Sequence, residues 1–336
     1  MKAIFLVNNK GNIDYVYSKE SQERIKNLIG MDLNDIYCQE DLESNPEKFK
    51  DVEYIFSTWS MPGGTEPKDD FGRFMPKTKA LFYAAGSVKY FAESYFKRGV
   101  RIFSAFAANA IPVAEYTVAQ ILLANKGFYQ SSLLAKAKKH DEAHKVSLAH
   151  CGNYDSKIGI IGAGMIGKKV IELLKPYKLN IYVYDIFMTE EQAEKMGVTK
   201  VDLDTLFSEC DVVSNHLANV PQTVGILTKE LFAKMKPNST FINTGRGQQT
   251  DEEGMLEVFE KREDICALID VTIQEPPRED SKFYTLPNVF LTPHIAGSQS
   301  NEVQRMSELI VDELERFLKG EKCLYEVDAE KLKTMA

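Results

Sequence analysis

Three side chains in the last third of this 336-residue chain, Arg246, Glu275 and His294, could together hold a carboxylate and move a proton. Each follows a short apolar run: Arg246 comes after STFINTG, Glu275 after ICALIDV and His294 after VFLTP. In an open parallel sheet, residues just past the strand ends emerge at the carboxyl edge, where ligands bind. A cation, an acid and an imidazole converging there suit the reduction of a 2-keto acid. The guanidinium of Arg246 offers a planar fork for the substrate's carboxylate and carbonyl. The imidazole of His294 can give a proton to the carbonyl oxygen near neutral pH. Glu275 can accept a hydrogen bond from the other ring nitrogen, fixing the tautomer and stabilising the imidazolium. Singly they read as a surface cation, a loop acid and a strand-end histidine; their joint placement is what points to chemistry.

Such a reaction needs a hydride carrier, and the stretch KIGIIGAGMIGKKVIELLKPYKLNIYVYD, from Lys157 to Asp185, has the form of a dinucleotide site. An apolar strand leads into a glycine-rich turn, a helix and a second strand that ends in an acid. Gly162 permits the tight turn, Gly164 lets backbone approach a pyrophosphate, and Gly167 lets the helix pack closely on the sheet. Backbone N–H groups at the helix start then face the phosphates. The carboxylate of Asp185 can accept hydrogen bonds from ribose hydroxyls and repels a 2′-phosphate. Ile186, Phe187 and Met188 follow it, with no arginine to neutralise that phosphate, so NAD is expected rather than NADP. A flavin uses a similar fingerprint, but more often near the start of a chain; this one begins near the middle.

The elements that must position these groups alternate regularly. From Lys157 onward the strand candidates are IGII, IYVY, DVVSNHL, STFINTG, ICALIDV and VFLTPH, separated by helical patterns. The first hundred or so residues repeat the rhythm in KAIFLV, VEYIFST, LFYAAG and VRIFSA, without a phosphate fingerprint. The expected fold is α/β: two Rossmann-like or flavodoxin-like domains with doubly wound parallel sheets and a cleft between them. Two helices at apolar spacing, VAEYTVAQILLANKG and Asn301 to Leu318, are expected to connect them. The expected boundaries are 1–110 plus 298–336 for a discontinuous substrate domain and 111–297 for the cofactor domain. Closure of the two domains would keep water from the hydride path. The polar segment from Gly127 to Asn153 reads equally as an arm for dimer contact or as a surface excursion.

Composition narrows the partners. A formal net charge of −8 disfavours nonspecific nucleic-acid binding, and Lys136, Lys138 and Lys139 read as one solvated helix face. KAIFLV is too short for a signal peptide, and no apolar run approaches the roughly 18 residues that span a bilayer. Five scattered cysteines without a CxxC pair suit reduced thiols in a cytoplasm. His140 and His144 stand four apart but lack a third ligand, so no metal is expected.

Taken together, GAGMIG with Asp185, NTGRG around Arg246, DVTIQEPP around Glu275, TPHIAG around His294 and NAIPVAEYTVA at the first connecting helix make the chain similar to the D-isomer-specific 2-hydroxyacid dehydrogenases. The resemblance covers nearly the whole length. It implies an NAD-dependent oxidoreductase acting on the CH–OH group of a small D-2-hydroxy acid, with Arg246, Glu275 and His294 as the catalytic set. It further implies Met165 and Ile166 at the pyrophosphate, Thr244 and Gly245 near the nicotinamide, Asp270 at its carboxamide, and His216 and Gly297 lining the cofactor site. A cytoplasmic homodimer is the expected assembly.

The departures lie on the substrate side. Where the family commonly has a GxGxD-like loop, this chain reads YAAGSVKYF, with Ala84 and Val88 at the usual glycine and aspartate positions; Ala85 and Gly86 still offer backbone donors. LANVPQT replaces a leucine-proline run after His216, and Gln248 and Gln249 replace apolar residues after the RG pair. Trp59, the only tryptophan, could close over a substrate with Met61 or serve packing alone. Formate dehydrogenases share the general fold but lack the glutamate beside the histidine, so Glu275 argues against that chemistry. The alternative from another class is an NAD(H)-sensing interaction protein without turnover.

Overall fold

The computed structural model describes residues 2–64 and 66–334. The chain divides into two compact units, one running to Asn109 and resuming at Ser298, the other from Ala110 to Gly297.

In the first unit, β1 (Ala3–Leu6), β2 (Ile36–Tyr37), β3 (Tyr54–Ser57), β4 (Ala80–Tyr83) and β5 (Arg101–Ser104) form a parallel sheet in the order β2-β1-β3-β4-β5. A two-residue strand, Glu326–Val327, runs antiparallel along β5. Every residue of β1, β3 and β4 is buried. Strands covered on both faces need apolar side chains at every position, which is why these runs read as continuous rather than alternating. The order is that of a flavodoxin-like sheet, reversing between β1 and β3. The helix Gln304–Lys319 joins this unit by packing: Met306, Ile310, Val311 and Leu314 are buried in the same core as the strands. Polar contacts tie it to the helix Lys19–Ile29, through Ser307 Oγ to Ser21 Oγ at 3.1 Å and Arg24 to Asp312 and Glu315.

The second unit holds β6 (Lys157–Ile161), β7 (Asn180–Tyr184), β8 (Thr199–Lys200), β9 (Val212–Asn215), β10 (Thr240–Asn243), β11 (Cys266–Ile269) and β12 (Val289–Leu291). They form one parallel sheet in the order β12-β11-β10-β9-β6-β7-β8, a Rossmann arrangement whose order reverses between β6 and β9. The helix Phe106–Ala124 is long and apolar enough to cross a membrane by length and composition alone, although Glu115 and Gln120 keep it from being an unbroken apolar run. In the second unit that apolarity goes into packing, with Ala114, Ile121 and Ala124 buried among the strands' side chains.

The segment after this helix is more regular than its sequence suggests. Helices Phe128–Lys136 and His140–Ala149 pack against each other, yet the first buries no residue and the second only Ala143. Without a buried face there is no apolar period to read. Lys136 is helical, whereas Lys138 lies in the turn between the helices with φ of 64°, so the three lysines do not share one helix face. The two-residue edge strands likewise escape a pattern that needs four or more residues to declare itself.

Candidate active site

The sheet reversal of the second unit carries the glycine turn. Gly162 follows β6 with φ of 88°, a conformation that side chains resist, and an added Cβ would crowd the backbone of His216 and Leu217 at 3.0 Å. A Cβ on Gly167 would stand 2.0 Å from the Gly162 carbonyl oxygen, so the helix Met165–Leu174 lies on the turn only because position 167 is glycine. Gly164 differs: nothing lies within 4 Å of its missing Cβ, and it is exposed. That open cradle sits before the first helical N–H groups, which have no intrahelical partners, with Met165 exposed and Ile166 half-buried beside it. These residues fit a pyrophosphate.

Asp185, at the end of β7, is already engaged by backbone. Its Oδ2 accepts from Ala163 N at 2.7 Å, and its Oδ1 accepts from Phe187 N at 2.7 Å and Met188 N at 3.1 Å. The carboxylate therefore braces the glycine turn while retaining capacity for a further donor. Ile186 and Phe187 beside it are exposed.

His216 lies against that turn, its N–H donating to Ile161 O at 2.7 Å and its Nε2 paired with Ser214 Oγ at 2.9 Å. Its Nδ1 is buried with no partner among the described residues. Burial depresses its pKa from 6.5 to about 3, because an imidazolium there would lose its hydration. Between those values the unfolded chain takes up a proton that the folded chain refuses, so this residue's contribution to stability falls as pH drops from 6.5 towards 3. The slope is at most about 1.4 kcal/mol per pH unit. Guanidinium unfolding of wild type and His216→Gln from pH 7 to 4 should show a shallower decline in the variant; parallel curves would sink the assignment.

Thr244 and Gly245 follow β10. Thr244 is buried with Oγ1 3.2 Å from Thr117 Oγ1, and Gly245 leads into Arg246, which is half-buried. The Arg246 Nη1 donates to Gly245 O at 2.7 Å. Burial lowers the guanidinium's pKa, and the negative charge of Glu275 partly offsets that. A Cβ on Gly247 would collide with the backbone of Thr272 and Ile273 at 2.1 and 2.2 Å, so the Arg246 turn rests directly on the loop that carries Glu275.

His294 and Glu275 meet: His294 Nδ1 is 2.8 Å from Glu275 Oε2, with both side chains partly open to solvent. His294 has a φ of 54°, an uncommon conformation for a non-glycine residue that surrounding contacts must hold. Asp270 supplies them. Its Oδ1 accepts from Thr292 Oγ1 at 2.6 Å and Ile295 N at 2.8 Å, its Oδ2 from Ala296 N at 2.9 Å, and its carbonyl from His294 N at 3.0 Å. Expected at the cofactor, Asp270 is buried and anchors the turn that presents the histidine. Gly297 ends this unit.

One carboxyl escaped sequence reading. Glu252 accepts from Ile273 N at 2.7 Å, and burial, together with the charge of Glu275, raises its pKa. Nothing in its local sequence sets it apart from the neighbouring Glu253.

The residues expected at the substrate, Trp59, Ala85 and Gly86, belong to the first unit and are described within it. Trp59 packs against that unit's core, its ring 6.4 Å from Tyr15, while Asn12 Nδ2 donates to its carbonyl at 3.0 Å. In the altered loop, Thr58 Oγ1 donates to Ala84 O at 2.8 Å, and Ser104 Oγ donates to Ala85 O at 3.0 Å and Gly86 O at 2.5 Å. In a trans peptide the N–H points opposite to the preceding carbonyl. The Ala85 and Gly86 N–H groups therefore face away from these hydroxyls, although Ala85 itself is buried and Gly86 half-buried.

A glycine turn at the sheet reversal and a paired imidazole and carboxylate at the same edge give this unit the form of a dinucleotide-binding domain with an imidazole–carboxylate pair beside its strand ends. Residues 118–296 match the family model for the NAD binding domain of D-isomer specific 2-hydroxyacid dehydrogenase, and the chain belongs to that family. It is 31% identical over 224 residues to D-3-phosphoglycerate dehydrogenase of Archaeoglobus fulgidus, a match covering 67% of this chain and 42% of that one. It is 26% identical to glyoxylate reductase of Korarchaeum cryptofilum, covering 82% of each. The fold is similar to that of apo D-mandelate dehydrogenase of Rhodotorula graminis, with a TM-score of 0.79 at 18% identity over 97% of both chains. The matched part spans about half the length of the curated phosphoglycerate dehydrogenases.

Proposed function

We propose that this chain reduces a small 2-keto acid to the D-2-hydroxy acid, reversibly and with NADH as hydride donor. The observation that carries this reading is the 2.8 Å pairing of His294 Nδ1 with Glu275 Oε2 beside the Arg246 turn. NAD(H), when bound, supplies or accepts the hydride. Arg246 holds the substrate carboxylate and polarises its carbonyl with two parallel N–H groups. His294, with Nδ1 committed to Glu275, presents Nε2 to the carbonyl oxygen and delivers the proton as the carbon becomes tetrahedral. In oxidation the same nitrogen removes the hydroxyl proton. Glu275 offsets the positive charge on the ring, and Asp270 keeps the ring from swinging out of line.

NADH is preferred over NADPH because the Asp185 carboxylate occupies the position a 2′-phosphate would approach, with the exposed side chains of Ile186 and Phe187 offering no cation. Asp185→Ser should lower the ratio of kcat/KM for NADH to that for NADPH by roughly tenfold or more. It should also weaken NADH itself, since Ala163 N loses its acceptor; an unchanged ratio would remove Asp185 from the selectivity role.

The assembly is read as a cytoplasmic homodimer. Exposed Phe128, Leu133 and Leu148 on the helical segment after the first long helix, and five free cysteines, support that reading. Trp59, Ala85 and Gly86 are assigned to the substrate.

The deciding experiment is NADH oxidation across glyoxylate, hydroxypyruvate and its 3-phosphate, pyruvate, phenylglyoxylate and phenylpyruvate, with NADPH in parallel. Turnover with one of them fixes the reaction class and the substrate family. NADH binding without turnover on any would favour a sensing role.

A further inference from the structure

The turn that carries Arg246 is held by buried amide side chains, where apolar groups would suffice for packing. Gln249 and Asn215 have no exposed surface and Asn243 almost none. Asn215 Nδ2 donates to Asn243 Oδ1 at 3.0 Å and to Gln249 Oε1 at 2.6 Å. Gln249 Oε1 also accepts from Arg246 N at 3.2 Å, and its Nε2 donates to Leu217 O at 2.7 Å. Asn215 Oδ1 accepts from Leu217 N at 3.2 Å. Asn243 Oδ1 takes the Gly245 N–H at 3.1 Å, and its Nδ2 donates to Arg246 O at 3.3 Å.

Both backbone groups of Arg246 and both of Leu217 therefore end on this one amide cluster. A Cβ on Gly245 would stand 2.9 Å from Asn215 Nδ2 and from Gln249 Oε1, so the turn closes directly onto the pair. Because the guanidinium donates to the carbonyl of Gly245, its position follows the backbone that the amides fix. A buried polar network is favourable only while every member is satisfied, so it ties the two loops together in one register.

We propose that Gln249 is the positioning residue for Arg246: bridged by Asn215, it locks the Arg246 turn to the loop after His216 and so presents the guanidinium to a substrate carboxylate in one orientation. This rests on the keto-acid reading of Arg246.

The test uses oxalate as a carboxylate probe of the NADH complex, read by NADH fluorescence, beside KM and kcat for the best keto acid, in wild type, Gln249→Leu and Gln249→Glu. The leucine leaves Arg246 N and Leu217 O without partners. The oxalate dissociation constant and KM should each rise roughly tenfold or more, with a smaller change in kcat and none in NADH affinity. In Gln249→Glu, a protonated carboxyl can still donate to Leu217 O, while an ionised one repels it. Oxalate affinity and KM, each divided by the wild-type value at the same pH, should therefore approach one at low pH and worsen as pH rises. This second variant serves if the first does not fold.

Unchanged KM and oxalate affinity in a folded variant, with or without lower thermal stability, would overturn the proposal. So would KM and NADH affinity weakening together, the mark of general loosening. A wild-type chain that binds NADH and oxalate but reduces no keto acid defeats the dehydrogenase reading alone, because oxalate affinity still reports on Gln249. A wild-type chain that binds no oxalate defeats the positioning role as well.

Discussion

His294→Ala should lower kcat for the proposed keto-acid reduction by roughly a hundredfold to ten-thousandfold and leave NADH affinity within about twofold. The size follows from what the residue does: without a positioned acid, the developing alkoxide must take its proton from water. The selectivity follows from where it is. His294 sits on the β12 loop under Asp270, whereas the glycine turn and Asp185 stand at the ends of β6 and β7. Glu275→Gln should fall between the variant and wild type, since an amide oxygen can still accept from Nδ1 but brings no charge to offset an imidazolium. The measurement is steady-state turnover at saturating NADH, with NADH affinity taken separately from fluorescence. Near-normal turnover in His294→Ala would remove this residue from the proton path.

Arg246→Lys should lower kcat/KM for the keto acid by roughly a hundredfold although the formal charge is kept. Two effects add. An ammonium cannot present two parallel N–H groups to a carboxylate, so orientation is lost along with one hydrogen bond. The site also disfavours charge, since burial already depresses the arginine's pKa, and a lysine gives up its proton far more readily. The variant should therefore recover partly at lower pH, where the ammonium persists, which a loss of geometry alone would not produce. Kinetics indistinguishable from wild type at every pH would refute the forked contact.

Much of the second unit can be read from the chain because its constraints are local. A continuous apolar run such as IGII, short and followed by a glycine turn, suits a strand covered on both faces, and the spacing of Gly162, Gly164 and Gly167 states where backbone must come close. The convergence of Arg246, Glu275 and His294 needs only the rule that parallel strand ends share an edge. What could not be read depends on contacts between distant segments. The resemblance placed Asp270 at the cofactor, but its role in anchoring the His294 turn shows only when its oxygens are seen taking the N–H groups of Ile295 and Ala296. Gln249 stands out only as a polar residue where an apolar one is usual; its partner Asn215 lies 34 positions away. The helices from Phe128 to Ala149 bury too little to leave a periodic signal.

The missing side chains of Gly167, Gly162, Gly245 and Gly247 have a joint effect. Each places one loop's backbone or amides against the next, so van der Waals contact passes from the phosphate turn, through the His216 and Arg246 loops, to the loop of Glu275. A methyl group added at any of these four points would shift its neighbours along that line. The backbone along the carboxyl edge of the Rossmann sheet therefore has little freedom to change piecemeal, and altered ligand preference would have to come from side chains elsewhere.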